Sequence, residues 1–131
     1  MHPKLTAWED KLRTIFEKID AYLEEKYGAK YPLHPARARR GATSGGEYDG
    51  LFSVDGVFTP GFGSDLGRGY ILRVQIATLA DVPEEIREAI ERDAADRLKK
   101  ELPKIFPDRK LTVERDGHSF KIIGDLSLGE E

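Results

Sequence analysis

The chain has no cysteine and no asparagine, and only one glutamine, one methionine and one tryptophan in 131 residues. Without cysteine there is no disulfide framework, no thiolate nucleophile and no cysteine-based zinc site. Scarce amides beside abundant Glu, Lys and Arg are a bias of proteins from hot environments, and GC-rich codon usage produces the same pattern. No apolar run approaches the roughly 20 residues of a membrane span. The N-terminal MHPKLTAWEDKL has no apolar core of about 7–15 residues such as a signal peptide carries. These absences predict a cytoplasmic protein with no membrane association. The three histidines, His2, His34 and His118, are isolated, with no H-x-H or H-E-x-x-H spacing, so neither metal nor cofactor is expected.

What is present is a balanced composition, 39% hydrophobic and 34% charged. That is too apolar for a disordered chain and predicts one α+β domain over residues 1–131 that buries roughly two-thirds of its unfolded surface. The net charge of −3 argues against a general nucleic-acid binder. The charge is uneven, however: Lys30, Arg37, Arg39 and Arg40 lie in a stretch, Lys30 to Gly46, that holds no acid.

Two segments read as amphipathic helices. In 6–27, Leu5, Trp8, Leu12, Ile15, Ile19 and Tyr22 recur at alternating spacings of three and four, and Phe16 and Leu23 widen the stripe. Thr6 and Glu9 match a capping box, Glu9 and Arg13 can pair, and Gly28 is a natural stop. In 83–102, Ile86, Ile90, Ala94, Leu98 and Leu102 form the stripe. Pro83 suits the first turn, Pro103 and Pro107 end the helix, and Glu88–Arg92, Asp93–Arg97 and Asp96–Lys100 are correctly ordered pairs.

The strands follow a period of two. Segments 111–115 and 118–123 read as a hairpin around Asp116-Gly117. A type I′ turn there sets Arg115 opposite His118, Val113 opposite Phe120 and Leu111 opposite Ile122. Thr112, Glu114, Ser119 and Lys121 take the other face. Segment 70–79 is a strand with Tyr70, Leu72, Val74 and Ile76 on one side. Segment 51–60 has two readings: Asp55-Gly56 turns the chain into a second hairpin, or 51–59 runs as one strand. The predicted fold is an antiparallel sheet of four to five strands with two helices on one face, in the order α-β-β(-β)-α-β-β. Several small α+β folds share this order, and order alone does not carry function.

Function is sought in two loops. Segment 28–50, GAKYPLHPARARRGATSGGEYDG, is long for a compact domain. Arg37, Arg39 and Arg40 supply fork-shaped donors for phosphate or carboxylate, and the glycines allow backbone N–H groups to approach. The competing reading is a solvated linker whose arginines pair with surface acids. Segment 60–69, PGFGSDLGRG, spaces its glycines unlike a dinucleotide or phosphate-binding loop, and a strand follows rather than a helix. It reads as a binding loop carrying Asp65 and Arg68, with Phe62 and Leu66 as apolar anchors, or as a plain turn. The two loops share one end of the sheet only if Asp55-Gly56 turns the chain.

The leading expectation is a non-enzymatic binding module for an anionic small molecule or an acidic partner surface, through Arg37, Arg39, Arg40, Asp65 and Arg68. An alternative is an assembly protein whose N-terminal helix stripe pairs with a second copy as a homodimer. A third reading is an enzyme on a phosphorylated or carboxylated substrate, using Asp65, Arg68, Arg37 and His34. Ser44 and Ser64 lack a nucleophile elbow, and no helix has a basic recognition face for DNA.

Overall fold

The computed structural model describes residues 3–37 (side chains from residue 7), 50–61 and 66–124. Its elements are α1 (Pro3–Tyr27), β1 (Phe52–Thr59), β2 (Gly69–Ile76), α2 (Glu84–Ile105), β3 (Leu111–Asp116) and β4 (Ser119–Gly124). The four strands form one antiparallel sheet in the order β1-β2-β4-β3, with both helices on one face. This is the α+β class that the hydrophobic periods predict.

The stripe of α1 is core: Trp8, Leu12, Ile15, Phe16, Ile19 and Leu23 are buried. The helix begins at Pro3 rather than at the expected cap, because proline's fixed φ suits a first turn. Thr6 therefore lies inside the helix, and the Thr6–Glu9 capping box does not start it. Arg13 pairs with Asp10 at 3.3 Å instead of with Glu9.

In α2, Ile90, Ala94, Ala95, Leu98 and Leu102 are buried, while Ile86, one turn earlier, is exposed. Pro103 does not end this helix. It sits in the last turn, and the Phe106 N–H still closes on the Leu102 carbonyl at 2.8 Å. In place of the Asp93–Arg97 and Glu88–Arg92 pairs expected along the helix, two carboxylates of α2 reach across to other elements. Asp93 accepts from Lys26 at 2.8 Å and from the Tyr27 hydroxyl, and Glu88 pairs with Arg115 at 3.6 Å. Burial pushes the Asp93 carboxyl up, but the hydrogen bonds from Lys26 and Tyr27 outweigh it and hold it below its ordinary value. Burial and the Asp93 hydrogen bond together raise Tyr27. The buried Glu101 carboxylate has Arg97 at 3.4 Å, Lys18 at 3.6 Å and Lys104 at 3.7 Å.

Residues 52–59 form one strand, paired with β2 along its whole length from Phe52↔Ile76 to Thr59↔Gly69. Asp55-Gly56 is mid-strand, not a turn. Gly56 serves packing instead: a Cβ there would lie 2.7 Å from Cζ of Phe16, so the helix side chain rests on bare backbone. The β3–β4 hairpin also differs from expectation by one turn position. Asp116 opposes Ser119, Arg115 opposes Phe120, and Val113 opposes Ile122. Gly117, at φ 64°, is the first central residue and His118 the second; a type I′ turn at Asp116-Gly117 would need a positive φ at Asp116, which it does not have. Moving the turn one residue moves the pairing by two, so every side chain keeps its predicted face.

Candidate functional site

With β1 continuous, the two glycine-bearing loops leave opposite ends of an eight-residue strand, about 26 Å apart at the usual rise. The structure therefore does not bring Arg37 and Arg68 together. Each loop base is built separately.

At the start of β1, Glu24 and Arg37 hold the backbone of residues 50–52. Glu24 lies on the β1 side of α1, in the turn before Gly28 closes the helix on the Glu24 carbonyl. Its Oε1 accepts from the Leu51 N–H at 3.1 Å, and its Oε2 accepts from the Phe52 N–H at 2.7 Å. Arg37 Nε donates to the Gly50 carbonyl at 2.8 Å, and Nη2 donates to the Phe52 carbonyl at 2.9 Å. Arg37 reaches this place through a turn at 34–37, where the Arg37 N–H meets the His34 carbonyl and the Ala36 N–H meets His34 Nδ1. The His34 N–H is itself tied to the Ala77 carbonyl at 2.8 Å. The His34 ring thus orders a turn, and the Arg37 fork holds backbone. Arg39 and Arg40 lie outside the described residues.

At the other end, the glycine loop is fastened to the face of the sheet opposite the helices. Lys121 points to that face, as its period predicts, but is 1% exposed rather than solvated. Its Nζ donates to the Gly67 carbonyl at 2.8 Å and pairs with Asp116 Oδ2 at 2.6 Å. The neck of the loop is tight, since a Cβ on Gly61 would meet the Gly67 carbonyl carbon at 2.2 Å. Leu66 is half-buried; Arg68 is exposed and makes no hydrogen bond or ion pair among the described residues. Asp65 and Phe62 lie outside the described residues.

Beside Arg68, four rings run in file across this end of the domain. Phe58 stands edge-on to Tyr70 at 5.5 Å, Tyr70 is 5.9 Å from Trp8, and Trp8 is 4.6 Å from Phe106. Trp8 Nε1 donates to the Tyr70 hydroxyl at 3.0 Å, and the Arg109 guanidinium covers the Trp8 ring at 4.8 Å. Phe58 closes the file at 53% exposed. Sequence reading missed Phe58, Lys121 and Glu24. The signal for Phe58 was its place near the end of a strand, two residues before Pro60.

A groove of about 290 Å³ between α2 and β3 is lined by Lys99, Leu102, Leu111, Thr112, Val113 and Glu114, and gathers none of the nominated residues. Among the described residues, no group of three or more His, Asp or Glu side chains is placed to hold a metal ion, and no helix is long and apolar enough to cross a membrane.

An uncharacterized protein of Borreliella burgdorferi is 38% identical over 121 residues, covering 92% of this chain and 94% of the relative. No solved structure matches the chain. Residues 3–124, from the first residue of α1 to the last of β4, match a protein family described as "Uncharacterised protein", and the chain belongs to that family.

Proposed function

We propose that the domain is a non-enzymatic binding module for an anionic small molecule or an acidic partner surface, engaged at the Arg68 end of the sheet. The observation that carries this reading is the buried Lys121 ammonium fastened to the Gly67 carbonyl. Burying a charge is costly unless it is paired and hydrogen-bonded. Here one is buried at the base of a loop whose next residue, Arg68, stands exposed, with no ion pair among the described residues. The guanidinium offers a planar fork to phosphate or carboxylate, and the exposed Phe58 ring offers an apolar surface on the same end.

Arg37 belongs to the scaffold in this reading, because its fork holds Gly50 and Phe52. Asp65 enters it as an additional ligand group on the same loop, whereas the loop that carries Arg39 and Arg40 joins the opposite end of β1. The assembly alternative through the α1 stripe loses support, since that stripe packs on the chain's own sheet. A cytoplasmic location is part of the same reading.

The test is titration of pyrophosphate and of a short polyglutamate peptide into the protein and into Arg68→Gln, followed by amide NMR shifts. Shifts at 66–70 that weaken at least tenfold in the variant support the reading. No binding to either protein, or equal binding to both, overturns it.

A further inference from the structure

Two carboxylates of α2 meet cations of α1, and their surroundings differ in charge. Asp93 has one cation, Lys26 at 2.8 Å, and that pair closes at zero. Glu101 has three: Arg97 Nε at 3.4 Å, Lys18 Nζ at 3.6 Å and Lys104 Nζ at 3.7 Å. The Glu101 side chain is buried and so needs a countercharge. One cation would supply it. Three leave two positive charges uncompensated around a single carboxyl group, on a chain whose net charge is −3. Lys100 lies on the same stripe of α2, between Arg97 and Lys104, exposed and with no ion pair among the described residues.

The helix dipole does not account for this set. It favours cations in the last turn of a helix, which covers Lys104 but neither Arg97, two turns earlier, nor Lys18, from the middle of α1. The three cations stand around Glu101 at ion-pair distance without hydrogen-bonding it, and Arg97 Nε is buried with no hydrogen-bond partner. The side chains of Lys18, Arg97 and Lys104 are 50%, 40% and 66% exposed, so their donors are open to a group arriving from solvent. The Arg97 guanidinium lies over the Tyr22 ring at 5.4 Å, a contact that orients it at the seam between the helices.

We propose that Lys18, Arg97 and Lys104, gathered on Glu101 where α1 meets α2, form a second anion site that takes a phosphate group. A phosphate monoester carries about −1.5 to −2 at neutral pH, which matches the two uncompensated charges, whereas a carboxylate supplies only one. The guanidinium fork takes two phosphate oxygens, and the ammonium groups act as point charges on the others. Glu101 gathers the cations and is not itself a ligand. The site lies on the helix layer, with the sheet between it and the loop at Gly67, and it does not depend on the reading of Arg68.

The test is titration of inorganic phosphate and of glycerol phosphate at constant ionic strength, with acetate as the control anion, followed by amide NMR shifts. The expected result is saturable shifts at Lys18, Arg97 and Lys104 with both phosphate compounds and much smaller ones with acetate. The tighter of the two tells free phosphate from an ester. Arg97→Gln, which leaves Glu101 two cations, should weaken the affinity about tenfold. Glu101→Gln should strengthen it, because the competing carboxylate is gone; a network that only holds the helices together gives no such gain. Arg68→Gln should leave these shifts as they are, which separates failure here from failure at the loop. Absence of saturable shifts at these residues, an equal response to acetate, or parental affinity in both Arg97→Gln and Glu101→Gln overturns the proposal.

Discussion

Glu24 and Arg37 grip the same three residues of backbone with opposite chemistry. The carboxylate takes the N–H groups of Leu51 and Phe52, and the guanidinium takes the carbonyls of Gly50 and Phe52. The first strand is held before the sheet pairing begins. Arg37→Lys should cost about 1–3 kcal/mol in denaturant melts, because an ammonium cannot reproduce the fork and leaves a carbonyl unsatisfied. An unchanged midpoint would show that the clamp contributes nothing.

Leu98 is fully buried in the α2 stripe. Leu98→Ala should lower stability by about 2–5 kcal/mol, the sum of lost transfer energy and a residual cavity. A loss below about half a kilocalorie would mean that this face is not core.

Gly56→Ala should destabilise by about 1–3 kcal/mol through overpacking against Phe16. The double variant Gly56→Ala with Phe16→Leu should lose less than the two single changes added, because the smaller side chain makes room. Strict additivity would show that the two residues do not meet.

Lys121→Met should leave the fold assembled but loosen the glycine loop. Amide exchange at 66–69 should speed up while that of β3 and β4 holds, because the Gly67 carbonyl loses its donor. Unchanged exchange would remove Lys121 from the loop's support and, with it, the main argument for a binding loop.

The Asp93 cluster should shape both ends of the stability–pH curve. The Asp93 carboxyl sits below its ordinary 3.8, so its contribution is present above that value and fades as pH falls through the folded one. The Tyr27 hydroxyl sits above its ordinary 10.0, so its contribution is present below pH 10 and fades as pH rises further. Asp93→Asn should flatten the acid limb and reduce the alkaline limb only in part, because burial, the larger cause of the Tyr27 shift, remains. A variant with the parent's acid limb would refute the assignment.

The features legible in sequence are those set by a residue's own period. Ile15, Ile19, Ile90 and Leu98 announce their faces at helical spacing, and Leu72, Val74, Val113 and Ile122 announce theirs by alternation, so the class, the order and the covered face follow. What was not legible depends on partners far along the chain. Asp55-Gly56 is ideal turn chemistry, and only Phe16, packed over Gly56 from α1, says that the strand runs through. Lys121 alternates like a solvent-facing residue until the loop ending at Gly67 folds over it. Arg37 reads as a ligand donor because nothing local reveals the carbonyls of Gly50 and Phe52 as its acceptors.

The strand order has a consequence for how the molecule is built. Exchanging β1 with β3 and β2 with β4 reproduces the order β1-β2-β4-β3, and each pair of strands follows its own helix. The chain is two helix–hairpin halves facing each other about an approximate dyad, which passes between Ile71 and Lys121 where β2 meets β4. The halves share architecture without a repeated sequence, and they diverge at the axis itself: one contributes an isoleucine, the other a buried lysine. They diverge again at the hairpin tips, two residues long in one half and the extended glycine segment in the other. The plan of two like halves thus carries a minimal turn at one tip and, at the other, the nine residues between Thr59 and Gly69, so the two ends of the pseudo-symmetric sheet present different surfaces.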